Sequence, residues 1–162
     1  MDQKKKVIVL ETAEILAKRA AHLFSEMVLA SVVARGRCMA ALYEKEVPEV
    51  FDLVFLGLGA DGHTASLFPD HVALKEWKRG VLAVKGGDPD VPRLTMTFPL
   101  INKARHIIFL VSGEKKAEVL KAVLEDRDVK LPAVHVLPST GSLTWVLDRA
   151  AASLLSKETP RG

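Results

Sequence analysis

The sequence predicts an α/β protein built on a single doubly wound, mostly parallel sheet with helices on both faces. Three observations carry this. The runs 7–10, 53–58 and 107–111 are continuously apolar, as strands buried on both faces are. Between them lie segments whose apolar residues recur at helical spacing. The strand and helix patterns alternate along the chain, which in one sheet implies parallel strands joined by helical crossovers, a Rossmann-like arrangement.

Each element has its own signal. Val7–Leu10 reads as a short first strand, and Thr12 caps a helix in which Leu16, Ala20, Leu23, Phe24, Met27 and Val28 form the stripe until Gly36 ends it. His22 falls off that stripe and reads as solvated. Val81–Val84 is a second short apolar run, closed by the loop residues Gly86-Gly87-Asp88-Pro89. Residues 93–98 alternate, which places Leu94, Met96 and Phe98 on a buried face and Arg93, Thr95 and Thr97 on a polar one. After the strand at 107–111, Gly113 begins a turn, and Ala117, Leu120, Val123 and Leu124 mark a helix on the sheet. Residues 125–130 form a charged loop and 133–136 a last short strand. Leu143, Val146, Leu147, Ala150 and Leu154 then read as the stripe of a final helix, and 157–162 as a frayed end.

With 162 residues, 49% hydrophobic and 27% charged, the chain is large enough for one good core and too short for two comfortable domains, so 1–162 is read as one domain. A net charge of +3 suits an anionic small molecule and is too mild for nucleic acid; Lys4-Lys5-Lys6 reads as a solvated lead-in. The lone cysteine, Cys38, excludes an internal disulfide and reads as a small buried apolar residue. No Cys/His set has metal-ligand spacing, no apolar run is long enough to span a membrane, and the N-terminus lacks a signal peptide's apolar core. A cytoplasmic protein is expected.

The run 51–69 is the most informative stretch. An apolar strand breaks into glycines followed at once by Asp61, His63, Thr64 and Ser66. In an open parallel sheet ligands bind beyond the strands' carboxyl ends, so an ionisable residue there is placed for chemistry, and His63 is the first candidate. Gly57, Gly59 and Gly62 satisfy the dinucleotide fingerprint, with Glu76 roughly 20 residues on where a ribose-binding acid belongs. That match is weak, because the third glycine should open a full helix and Pro69 interrupts within two turns. A purely structural reading, a tight glycine turn with a satisfied histidine, also stands.

Residues 56–69, Leu-Gly-Leu-Gly-Ala-Asp-Gly-His-Thr-Ala-Ser-Leu-Phe-Pro, closely resemble the signature of 6-phosphogluconolactonases, which open 6-phosphogluconolactone to 6-phosphogluconate. The related glucosamine-6-phosphate deaminases share the Gly-x-Gly-x-Asp-Gly-His core but continue with an Ala-Phe-Asn-Glu-Pro-like run, so Thr64–Pro69 favours the lactonase side. Further matches are Pro92–Thr97, Pro99–Asn102, Ala104-Arg105, Gly113–Ala117 and Trp145–Ala150. The chain departs from the family between Gly36 and Phe51. The family's Gly-Gly-Ser/Thr phosphate loop and its Asp-Glu-Arg segment are missing there, and Tyr43-Glu44-Lys45-Glu46 supplies no glycine nest. Two explanations are open: a shortened molecule, or a sequence joining segments across omitted residues. The second is favoured, and residues 37–50 are where a Cα gap far beyond roughly 3.8 Å would mark it.

The resemblance implies hydrolysis of a phosphorylated sugar lactone without metal, cofactor or covalent intermediate. His63 would be the general base, and Asp61 would either orient its imidazole or brace the turn. Backbone amides around Gly59–His63 would face the oxyanion, so Gly57, Gly59 and Gly62 count among the substrate-binding residues. Thr64 and Ser66 would hold sugar hydroxyls or cap a short helix, and Arg93, Arg105 and Lys116 would supply cations for the phosphate. His71, His106 and His135 are left structural. The substrate is the one partner implied, with no nucleic acid or membrane, and the chain a monomer or weak homo-oligomer. The alternatives are a non-catalytic sugar-phosphate binding domain, a deaminase-like isomerase and, further behind, a nicotinamide-dependent oxidoreductase.

Overall fold

A computed structural model describes residues 6–35, 49–126, 128–156 and 159, with side chains of the first helix described as far as Met27. The Gly36–Phe51 junction, to residue 48, lies outside the described residues. So do Lys4, Lys5, Cys38, the side chain of Val28 and all of the tail after Ser156 except Thr159.

The main sheet holds β1 (Lys6–Leu10), β2 (Leu53–Leu56), β5 (His106–Val111) and β6 (Ser142–Asp148) in the order β1-β6-β5-β2, every neighbouring pair parallel. β3 (Val81–Gly86) and β4 (Val91–Met96) form a separate antiparallel hairpin. Thr12 Oγ1 accepts the Ile15 amide and starts α1 (Ala13–Arg35) as expected, with a Glu14–Lys18 pair at 2.7 Å one turn on. Leu16 and Leu23 of α1 pack with Leu53, Ile108 and Val146 on one face of the sheet. Phe24, expected in the stripe, is 41% exposed and only leans on Phe55. The opposite face meets α2 (Phe98–Ile101), α3 (Ala117–Glu125) and the hairpin through Phe98, Ile101, Leu120, Leu82 and Val84. Helices therefore cover both faces, as predicted.

Three expectations are corrected. Residues 142–148 are a central strand, β6, and among the described residues no final helix follows it; 149–154 are turns, with Leu154 exposed. In β6 Val146 points to the α1 side while Leu143, Trp145 and Leu147 point to the other. A run buried on both faces satisfies helical and strand spacing alike, and the β-formers Thr144, Trp145 and Val146 tip it to strand. Burying each large apolar side chain here stabilises the fold by about 1.5–3 kcal/mol. Trp145 stacks flat on Phe109, rings 3.9 Å apart, and its indole N–H is buried without an acceptor among the described residues.

Pro132–His135 is a 3₁₀ turn, not a strand; Pro at its first position removes the amide a ladder would need. On β4 and just beyond it the expected faces hold only in part: Phe98 is buried and Met96 packs against the core, but Leu94 is 72% exposed and Thr95 and Thr97 are buried. Their hydroxyls explain how they can be. Thr95 Oγ1 accepts the Ser66 amide and donates to Met96 O, and Thr97 Oγ1 donates to Arg79 O at 2.6 Å. The tail is also less frayed at Thr159, which is buried and donates to the Glu125 carboxylate, a group that receives the Ser156 amide as well.

Candidate active site

The register aligns the carboxyl ends of the strands. Leu56 lies opposite Phe109, Val111 opposite Leu147, and Leu10 opposite Asp148, so Gly59, Ser112 and Asp148 sit at about one level. β2 ends there in a turn closed by three backbone bonds: Gly59 N–H to His63 O at 2.8 Å, Gly62 N–H to Gly59 O at 3.1 Å, and Leu67 N–H to Thr64 O at 2.9 Å. The sequence dictates this shape at two glycines. A Cβ on Gly59 would land in the His63 ring and 2.6 Å from Asp61 Oδ1, and Gly62 has φ +79° with Leu131 packed against it. The 3₁₀ turn props the loop from below, Ala133 N–H donating to Gly62 O at 3.0 Å.

Inside the turn, His63 Nδ1 lies 2.5 Å from Asp61 Oδ1, and the same oxygen accepts the His63 amide at 3.2 Å. An ionised carboxylate only accepts, so Nδ1 carries the proton and Nε2 of the neutral ring keeps its lone pair. Partial burial pushes the Asp61 carboxyl up, but the hydrogen bonds from the His63 amide and ring outweigh it and hold it below the usual aspartate value. The imidazole is 33% exposed, and its other flank is the Phe68 ring, 4.9 Å away between centroids.

The remaining expected site residues divide. Thr64 is fully buried and donates to Gly57 O at 2.9 Å, which makes it a lock on the turn; the short 3₁₀ helix that follows, Val72–Lys75, is capped by His71 Nδ1 and not by Thr64 or Ser66. Ser66 is half-buried and anchored by its amide to Thr95. An added Cβ on Gly57 would meet open space. The amides of Gly59, Gly62 and His63, expected to face an oxyanion, are engaged within the turn itself. Arg93 donates to Gly86 O and Pro89 O, fixing the hairpin turn against the far edge of Phe68. Lys116 closes the turn that leaves β5, at the same end as His63. Arg105 is set apart: it pairs with Asp52 at 3.1 Å at the amino ends of β2 and β5, roughly 20 Å of strand from Gly59. Glu76 serves its own loop, accepting from the Lys78 and Arg79 amides and the Arg79 side chain, so the dinucleotide fingerprint loses its acid.

One group escaped the sequence reading. Asp148, at the end of β6, is buried and accepts from Ser112 Oγ at 2.6 Å, Gly113 N–H at 3.1 Å and Ala151 N–H at 2.8 Å. Reading 143–154 as a helix hid it; the signal was an Asp closing a strand, three residues before the amide it caps.

A doubly wound α/β sheet with a carboxylate-braced imidazole on the turn beyond one strand's carboxyl end defines a protein of the class that meets small ligands at that crevice. The family model for glucosamine-6-phosphate isomerases/6-phosphogluconolactonase matches residues 4–145, and the chain belongs to that family. It is 48% identical over 123 residues to the 6-phosphogluconolactonase of Rattus norvegicus, covering 75% of this chain and 48% of the relative. Among solved structures, 6-phosphogluconolactonase from Trypanosoma brucei superposes with a TM-score of 0.60 at 32% identity, over 90% of this chain and 56% of that one. A 6-phosphogluconolactonase from Shewanella baltica OS155 shares the fold, with a TM-score of 0.74 at 17% identity over 91% of this chain and 99% of that one. The chain spans about half the length of the curated relatives it matches. Among the described residues, no helix is long and apolar enough to cross a membrane.

Proposed function

We propose that the chain hydrolyses 6-phospho-D-glucono-1,5-lactone to 6-phosphogluconate as a single cytoplasmic domain, monomeric or weakly self-associating. The observation that carries this is the His63–Asp61 pair, 2.5 Å apart with the imidazole a third open to solvent at the carboxyl end of β2, in a chain whose relatives bear the lactonase name. His63 Nε2 takes a proton from water as the oxygen attacks the lactone carbonyl carbon. The Ala60 N–H, left over by the turn's own hydrogen bonds, is assigned to the oxyanion. Collapse breaks the bond from the carbonyl carbon to the ring oxygen, which receives the proton from the imidazolium. Asp61 fixes the tautomer, Ser66 is assigned to a sugar hydroxyl, and Lys116 and Arg93 to the phosphate; Arg105 stands outside this arrangement.

Acid release from the lactone, measured against the spontaneous rate, tests the proposal. The chain accelerates opening and His63→Ala returns it to background with the fold retained; full activity in that variant moves the base elsewhere. A second reading, binding of a sugar phosphate without turnover, is favoured by one observation: the phosphate-loop and Asp-Glu-Arg motifs are missing from the sequence. Binding of 6-phosphogluconate with background hydrolysis would establish it.

A further inference from the structure

We propose that Asp148 is a positioning residue for the anionic end of the ligand, acting through the turn that carries Lys116. The inference rests on the reading above only in assigning Lys116 to phosphate.

The connection is continuous. Asp148 Oδ2 accepts the Ser112 hydroxyl at 2.6 Å, and both carboxylate oxygens lie 3.1 Å from the Gly113 amide. Gly113 O in turn accepts the Lys116 amide at 3.0 Å, closing the turn Glu114–Lys116 that leads into α3. Two hydrogen bonds therefore separate a buried carboxylate on β6 from the backbone of the lysine beyond β5. Behind it, the Ala151 amide holds Oδ1 at 2.8 Å, so the carboxylate is gripped from its own chain and is itself the grip on the next strand's loop.

Such an arrangement exceeds what holding the sheet requires. β5 and β6 are already paired from His106–Ser142 to Val111–Leu147, and Asp148 acts just past the last pair, where the ladder stops and the turn begins. A charged acceptor with only 4% of its surface exposed makes charge-assisted bonds that fix a loop more firmly than a neutral side chain does. Placing one below a cation-bearing turn, at the level of Gly59, holds that turn at a set distance from His63 across the neighbouring strands.

The test is binding of inorganic phosphate, 6-phosphogluconate and gluconate by the intact chain, with lactone turnover alongside. Asp148→Asn removes the charge while keeping the shape; Ser112→Ala removes one donor and leaves the carboxylate alone. Both should weaken phosphate and 6-phosphogluconate binding, Asp148→Asn by about tenfold and Ser112→Ala by less, with gluconate affinity unmoved. In turnover, KM rises by the same factor and kcat changes less than about threefold. Unchanged phosphate affinity in folded Asp148→Asn overturns the inference, as does a wild-type chain that binds no phosphate. A wild-type chain that binds phosphate but leaves the lactone at its spontaneous rate defeats the lactonase reading instead, and the affinities still judge Asp148.

Discussion

One oxygen of Asp61 holds His63 twice, at the ring Nδ1 at 2.5 Å and at the backbone amide at 3.2 Å. The imidazole is thus oriented by a residue two positions away, in a turn too tight for any side chain at Gly59. The imidazole and its support come from the short stretch Gly59–His63.

Asp61→Asn should keep the turn but lose the acceptor charge that selects the Nδ1–H tautomer. Lactone opening is expected to fall by about 10²-fold, with a thermal midpoint within a few degrees of the parent. Activity at the parental level would show that Asp61 merely braces the backbone.

Gly59→Ala puts a methyl group where the His63 ring lies. Forcing the ring aside is expected to cost about 1–3 kcal/mol of stability and most of the activity. Urea titration and the lactone assay measure the two losses separately.

The exposed Leu94 and buried Thr95 of β4 give a paired test. Thr95→Val strands the Ser66 amide and should cost about 1–3 kcal/mol, whereas Leu94→Thr, on the exposed face, should stay within about 0.5 kcal/mol. Equal losses in urea unfolding would contradict the orientation.

Acid should destabilise the chain through its held carboxylates. Hydrogen bonds from the Lys78 and Arg79 amides and the Arg79 side chain lower Glu76 from 4.5 to about 2. Despite the upward push of burial, Asp148 is held below 3.8 by Ser112, Ala151 and Gly113. Between the unfolded and folded values the unfolded chain binds more protons, so this stability is complete above about pH 5 and is lost as pH falls through the folded values. Glu76→Gln should flatten the slope of unfolding midpoint against pH between about 4.5 and 2; an unaltered slope would remove Glu76 from the account.

The strand-helix alternation, the first helix with its Thr12 cap, and the Gly59–His63 turn were legible because each has a local cause: apolar runs, a capping hydroxyl, glycines beside polar residues. β6 was not, since Leu143, Val146 and Leu147 fit helical spacing as well as burial on both sides of a sheet. Thr95 was placed on the wrong face because its burial depends on the Ser66 amide, a partner 29 residues away. Arg105 looked like a site cation from its place beside a strand; which end of the strand it occupies decides otherwise.

The flat pairing of Trp145 with Phe109 gives the chain a built-in optical probe. The sequence has two tryptophans, and the other, Trp77, is 67% exposed beside the 3₁₀ turn Val72–Lys75. Their emission should separate by wavelength, blue from the sealed indole and red from the wetted one, and acrylamide should quench the red component first. Melting of the central strands can then be followed apart from loosening of the loop that carries Trp77, in a single cuvette and without a label.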